Sequence, residues 1–203
     1  MSGSESIKKD RKSVIHRQTK ETDIRLELDI DGAGTRALDT GIGFFDHMLN
    51  AFAVHGSFDI NLSISGDLEV DGHHTVEDCG IVIGRAFSEA IGDKTGINRF
   101  GCSYVPMDEA LARCVLDICG RPYLVFDADF AGERTGSFEL CLVKEFFHSF
   151  AYASGITVHI HLLEGENDHH ACEAIFKSFA RALRQAVDFS GRTGVLSSKG
   201  VLE

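Results

Sequence analysis

The chain has no tryptophan, no C-x-x-C pair, no long apolar run and fewer basic than acidic residues. Each shortage removes a class of function. A membrane-spanning helix takes roughly 18 or more consecutive apolar residues, and no stretch of the 203 residues approaches that. No membrane partner is expected. Against 31 Asp and Glu stand 20 Lys and Arg, a formal net charge of −11. That balance excludes nucleic acid, whose phosphates must be neutralised by clustered Lys and Arg. An anionic small molecule stays open wherever a few basic side chains converge. The six cysteines (Cys79, Cys102, Cys114, Cys119, Cys141, Cys172) are scattered, and the N-terminus lacks the apolar stretch of a signal peptide. They read as reduced, mostly buried thiols in a cytoplasmic setting.

What is present is an ordinary globular composition, 43% apolar and 25% charged, long enough for a real core. The polar segment Met1 to Lys20 reads as a loosely ordered lead-in, its first ten residues as a flexible segment. Residues 11–203 then form a single domain.

That domain is written twice. Glu21 to Gly32 lies against Glu109 to Gly120 without a gap, both alternating apolar and polar and both ending in Gly. The segments Gly43-Phe-Phe-Asp-His47 and Lys144-Glu-Phe-Phe-His148 each open a helical pattern. Ser57 to Ser65 and Gly155 to Leu163 alternate as strands. Asp71-Gly-His73-His74-Thr-Val-Glu77 matches Asn167-Asp-His169-His170-Ala-Cys-Glu173, and each leads into an amphipathic helix, Val76 to Ile91 and Ala171 to Val187. The repeats cover about 11–93 and 97–190. Each half reads as strand, strand, helix, strand, helix, with extra strand material around 123–130 and 138–143 in the second. The expected class is α+β: two duplicated half-domains, each a sheet with helices on one face, packed helix layer to helix layer.

Ten histidines accompany this repeat. On a helix, residues four apart share a face, so His73 and Glu77 can grip one ion, as can His169 and Glu173. His74 and His170 are turned about 100 degrees away. If two helix starts face each other, one set becomes His73, Glu77 and His170, the other His169, Glu173 and His74. His47 and His148 are the natural fourth ligands. Three imidazoles and one carboxylate leave two positions open on an octahedral ion, which suits manganese or iron better than a closed zinc site. Asp78 is placed to accept from a ligating imidazole. His55 is placed to line the site, His159 and His161 to pack or hydrogen-bond on a strand, and His16 to be exposed.

These strings resemble the imidazoleglycerol-phosphate dehydratase family: Thr40 to Leu49, Gly66 to Asp78, Glu166 to Lys177, Pro106 to Ala110, and the tail Ser197 to Gly200. The likeness covers nearly everything after about residue 10. It is to the single-function form, without the phosphatase domain appended to some bacterial members. The resemblance implies dehydration of D-erythro-imidazole glycerol phosphate to imidazole acetol phosphate in histidine biosynthesis, with two Mn2+ per active site. A metal-bound imidazolate would expel the adjacent hydroxyl, leaving a diazafulvene-like intermediate whose next carbon is acidic. The family match makes Glu21 the base. It assigns the phosphate to Arg99, Arg121, Ser198 and Lys199, with Ser197 beside them in a C-terminal phosphate-binding tail. It also implies a homo-oligomer of 24 subunits with sites between protomers. A metal-storage or metal-sensing protein would explain the histidines but not the basic residues and the Ser-Ser-Lys tail. A dinuclear iron oxidase would be richer in carboxylates and built on a long four-helix bundle.

Overall fold

The computed structural model describes residues 10–202, so the expected flexible segment 1–10 lies outside the described residues except for Asp10. The first half runs β1 (Lys12–Gln18), β2 (Thr22–Asp29), β3 (Arg36–Asp39), α1 (Gly43–Gly56), β4 (Asp59–Gly66) and α2 (His73–Ile91). The second runs β5 (Phe100–Met107), β6 (Ala110–Asp117), β7 (Tyr123–Asp127), a short hairpin of β8 (Arg134–Thr135) and β9 (Phe138–Glu139), then α3 (Cys141–Ser154), β10 (Thr157–Glu164) and α4 (Asp168–Val187).

The sheets have the orders β1-β2-β4-β3 and β5-β6-β10-β7, the same topology twice. Register repeats as well. Lys12, Asp29 and Asp59 share a row in the first sheet, as Phe100, Asp117 and Thr157 do in the second. The cause is the alternation in the strands. Ile24, Leu26 and Leu28 of β2 and Ala112, Cys114 and Leu116 of β6 all turn inward and are buried.

Two expectations change. The lead-in contains β1, paired with β2 along its whole length. Of its inward positions Ser13, Ile15 and Arg17 only Ile15 is apolar, Ser13 bonding Glu89 and Arg17 pairing with Asp78, so no apolar alternation marks it. The strand near Tyr123 is not extra: β7 pairs parallel with β10 as β3 pairs parallel with β4. Among the described residues only the β8–β9 hairpin lacks a counterpart.

The helices of each half cover one face of their sheet and meet in the middle, α2 on α3 and α1 on α4. Each helix pair therefore joins the two halves. A Cβ on Gly80 would stand 2.7 Å from the Phe146 carbonyl oxygen, and one on Gly84 2.6 Å from that of Phe150. Phenylalanines fill the layer: Phe45 against Phe146, Phe52 against Phe179, Phe87 against Phe150. One continuous core spans both halves. Among the described residues no helix is long and apolar enough to cross a membrane.

Candidate metal centres and substrate-binding residues

Both His-His pairs sit in the first turn of a helix, and in each half a side chain two residues ahead holds the first histidine, although only Asn167 is itself the N-cap and that of α2 is Gly72. The Asp71 side chain accepts the His73 backbone N–H at 2.8 Å, and Asn167 accepts that of His169 at 2.9 Å. Successive residues then point in different directions, with ring planes at 84° for His73 and His74 and 82° for His169 and His170.

The first histidine of each pair enters a cluster. His47 Nε2 and His169 Nε2 each lie 3.5 Å from Glu173 Oε2, joining α1 to α4. His73 Nε2 lies 3.4 Å from Glu77 Oε2, and Glu145 of α3 completes that group. In each group the three donor atoms fall within 4.8 Å of one another. Donors on one ion are separated by at most about twice a metal–nitrogen bond of about 2.1 Å, so shifts below an ångström would close both sets. Imidazole and carboxylate donors without thiolate suit a divalent first-row ion such as manganese, and three donors leave coordination positions open. Burial opposes ionisation of Glu173, but Lys177, at 2.6 Å, and then the two histidines hold its pKa below the ordinary value.

Sequence matching paired His148 with His47, and the structure corrects that correspondence. Helices α1 and α3 are equally long and close on left-handed residues, Ser57 (φ 54°) and Gly155 (φ 69°). Aligned on these ends, His47 corresponds to Glu145. His148 lies almost a turn further on, half exposed, its ring against Tyr152 at a 31° tilt with centroids 4.4 Å apart. Spacing alone does not single out Glu145, because the Phe-Phe strings align three residues out of step with the helices.

The second histidines point elsewhere. His74 Nδ1 meets Asp67 at 3.0 Å, and its Nε2 lies 3.9 Å from Glu21. His170 Nδ1 meets Glu109 at 2.8 Å, and its Nε2 lies 3.8 Å from Asp108. Neither joins the other cluster, so the exchange of histidines expected between facing helix starts is not made within one chain. The carboxylates raise both imidazole pKa values, and Glu109 itself is held at about 2, chiefly by its bond to His170. An open cleft of about 730 Å³ lies against His170, lined also by Glu109, Arg134, Asn167 and His169. Asp78 serves no imidazole. Nearly buried, it takes the Thr22 hydroxyl and an Arg17 guanidinium, both at 2.5 Å.

Glu21 stands at the entrance of β2, about half exposed, with its carboxylate directed to His74. His55 lies eight residues past His47 on α1, about 12 Å along the helix and outside both clusters. Burial, then Lys177 and Arg181, lower its pKa and favour the neutral ring. His16 is exposed and paired with Asp23, while His161 meets Asp127.

Of the expected phosphate residues, Arg99 and the tail meet at the far end of α4. Arg99 (φ 72°) donates its backbone N–H to Ala186 and its guanidinium to Asp117 and to the Leu196 carbonyl. It thereby holds the tail just ahead of Ser197, Ser198 and Lys199. Arg121 is exposed, four residues beyond β6. From His169 to Ala186 is seventeen residues of helix, or about 25 Å at 1.5 Å per residue.

Residues 40–183 match the model of the family described as imidazoleglycerol-phosphate dehydratase. A relative of that name from Desulfotalea psychrophila is 52% identical over 97% of this chain and 98% of its own. One from Caldanaerobacter subterraneus subsp. tengcongensis is 56% identical over 95% of this chain and all of its own. Among solved structures, the imidazoleglycerol-phosphate dehydratase of Staphylococcus aureus superposes with a TM-score of 0.80 at 41% identity, covering 88% of this chain and 100% of that one. The Pyrococcus furiosus enzyme gives 0.81 at 39%, covering 93% and 100%. With its duplicated halves, its paired histidine clusters and these near-full-length relatives, the chain belongs to the imidazoleglycerol-phosphate dehydratase family of hydro-lyases.

Proposed function

We propose that this chain catalyses the manganese-dependent dehydration of D-erythro-imidazole glycerol phosphate to imidazole acetol phosphate, a step of histidine biosynthesis. The observation that carries this reading is the division of donors. Two incomplete three-donor sets led by the first histidines stand beside two outward histidines, of which His170 forms a third cluster with Asp108 and Glu109. Arg99 with the tail sits about 25 Å from His169 along α4. A substrate the size of a glycerol phosphate spans no such gap. Each active site therefore takes its metal ligands and its phosphate cradle from different copies of the chain, with His74 and His170 of one copy completing the sets of another. That arrangement supports a closed homo-oligomer, and the family's 24-subunit shell with two Mn2+ per site is the proposed assembly.

One set then holds His47, His169 and Glu173, the other His73, Glu77 and Glu145, and His148 stays outside. An ion held at such a set would supply Lewis acidity, lowering the pKa of a bound imidazole so that the ring could give up its N–H proton and, with the adjoining hydroxyl leaving as water, form a diazafulvene-like system whose next carbon is acidic. Glu21 removes that carbon's proton, and the enol so formed returns as the ketone. Arg99, Arg121, Ser197, Ser198 and Lys199 hold the phosphate by charge and hydroxyl donation.

The test is turnover of imidazole glycerol phosphate by protein stripped with chelator and reloaded with manganese. Activity is expected to return with the metal, to vanish in His73→Ala, and to fall roughly 100- to 10,000-fold in Glu21→Gln. Tight manganese binding without turnover would replace this reading with metal storage or sensing.

A further inference from the structure

Glu21 and Glu109 are the same residue of the two halves, each standing immediately before an inner strand, β2 or β6. Their surroundings differ. Glu109 uses both oxygens: Oε2 on His170 Nδ1 at 2.8 Å, and Oε1 accepting the Asn167 backbone N–H at 2.9 Å. Asn167 in turn caps α4. The Glu21 carboxylate makes no hydrogen bond among the described residues and faces the Nε2 side of His74 at 3.9 Å.

The difference traces to the connection before each helix. His73 follows the end of β4 by seven residues, whereas His169 follows the end of β10 by five. The longer connection carries Asp67, whose carboxylate takes His74 Nδ1 at 3.0 and 3.2 Å. Its backbone is fixed too: the Asp67 N–H donates to the Glu21 carbonyl at 3.1 Å, and its carbonyl accepts from Val70 at 2.8 Å. In the second half no residue of the shorter connection takes that place, and Glu109 does the holding itself. A carboxylate on Nδ1–H fixes the tautomer and the ring plane and leaves the Nε2 lone pair as the donor.

We propose that Asp67 and Glu109 are equivalent positioning residues, each presenting the Nε2 of one outward histidine to a metal ion, and that Asp67 thereby leaves Glu21 free as the one reactive carboxylate of the duplicated pair. This rests on the function proposed above.

The experiment measures manganese affinity by chelator competition on the stripped oligomer and, separately, turnover at saturating manganese. Asp67→Asn and Glu109→Gln are expected to weaken manganese binding roughly 10- to 100-fold, with turnover largely restored by excess metal. Glu21→Gln is expected to do the reverse, losing turnover with affinity unchanged. If Glu109 acts through His170, the Glu109→Gln/His170→Gln double variant binds no more weakly than His170→Gln alone. Unchanged affinity in Asp67→Asn, or additive losses in the double variant, would overturn the proposal. So would a Glu109→Gln protein that loses turnover at saturating metal as Glu21→Gln does. Should wild-type protein bind manganese without turning over substrate, the functional reading fails while the affinity measurements still judge the positioning.

Discussion

Asp59, the first residue of β4, accepts the backbone N–H groups of Ala33 at 2.9 Å and Thr35 at 2.7 Å, and so ties down the turn between β2 and β3. Burial pulls its pKa upward, but these amide donors outweigh it and the carboxyl stays below the ordinary aspartate value. The stability it contributes is complete above the unfolded value of about 3.9 and drains away as pH falls through the lower folded value. Asp59→Asn is expected to unfold at a lower denaturant concentration at pH 7 and to lose less on acidification below pH 4, which denaturant titrations across that range will measure. The same scale separates the two metal sets. Glu173 shares its carboxylate with Lys177, one turn on, while the corresponding place after Glu77 is Ile81. Two carboxylates paired only with imidazoles therefore stand in one set and a single one, shared with a lysine, in the other. The His-x-x-x-Glu pairs were legible from spacing alone. Glu145 and Glu109 were not, because each reaches its partner between segments distant in sequence, and Asp67, only seven residues before His74, was not because the turn that aims it follows no periodic spacing.

At the scale of elements, the close crossing of α2 and α3 is made by Gly80 and Gly84, where a Cβ would meet carbonyl oxygens of α3. Backbone atoms have little room to retreat, so Gly84→Val is expected to cost about 1–3 kcal/mol or more, read from urea unfolding. Gly43→Ala, at the start of α1 where a Cβ meets nothing within 4 Å, is expected to leave stability unchanged or slightly raised. The amphipathic faces of α2 and α4 and the alternation of β2, β4, β6 and β10 were readable because apolar residues mark the buried side. Strand β1 is not legible because Ser13 and Arg17 occupy two of its three inward places and are satisfied by hydrogen bond and ion pair instead of by apolar contact. The short β3 has one partly buried position in four, too few to show a period.

Over the whole molecule, the link between the halves and the tail after α4 are zipped together: Gly96 donates to Gly194, Ser190 to Gly96, Asn98 to Asp188 and Arg99 to Ala186. The duplication was plain in the sequence. The return of the inter-half link to the C-terminal end of α4 was not, because no local pattern records which remote carbonyl an N–H will find. That return puts the tail proposed to bind phosphate at one end of a helix whose other end carries His169. Its consequence is genetic. A copy broken at His169 still owns an intact tail, and a copy broken at Lys199 still owns intact metal ligands. Each assembled alone is expected to be nearly inactive, whereas the two co-expressed in one particle rebuild working sites where the sound end of one meets the sound end of the other. A mixed particle no more active than the average of its parents would mean that every site is made from one chain. Recovered activity would make the two lesions complementing alleles of a single gene.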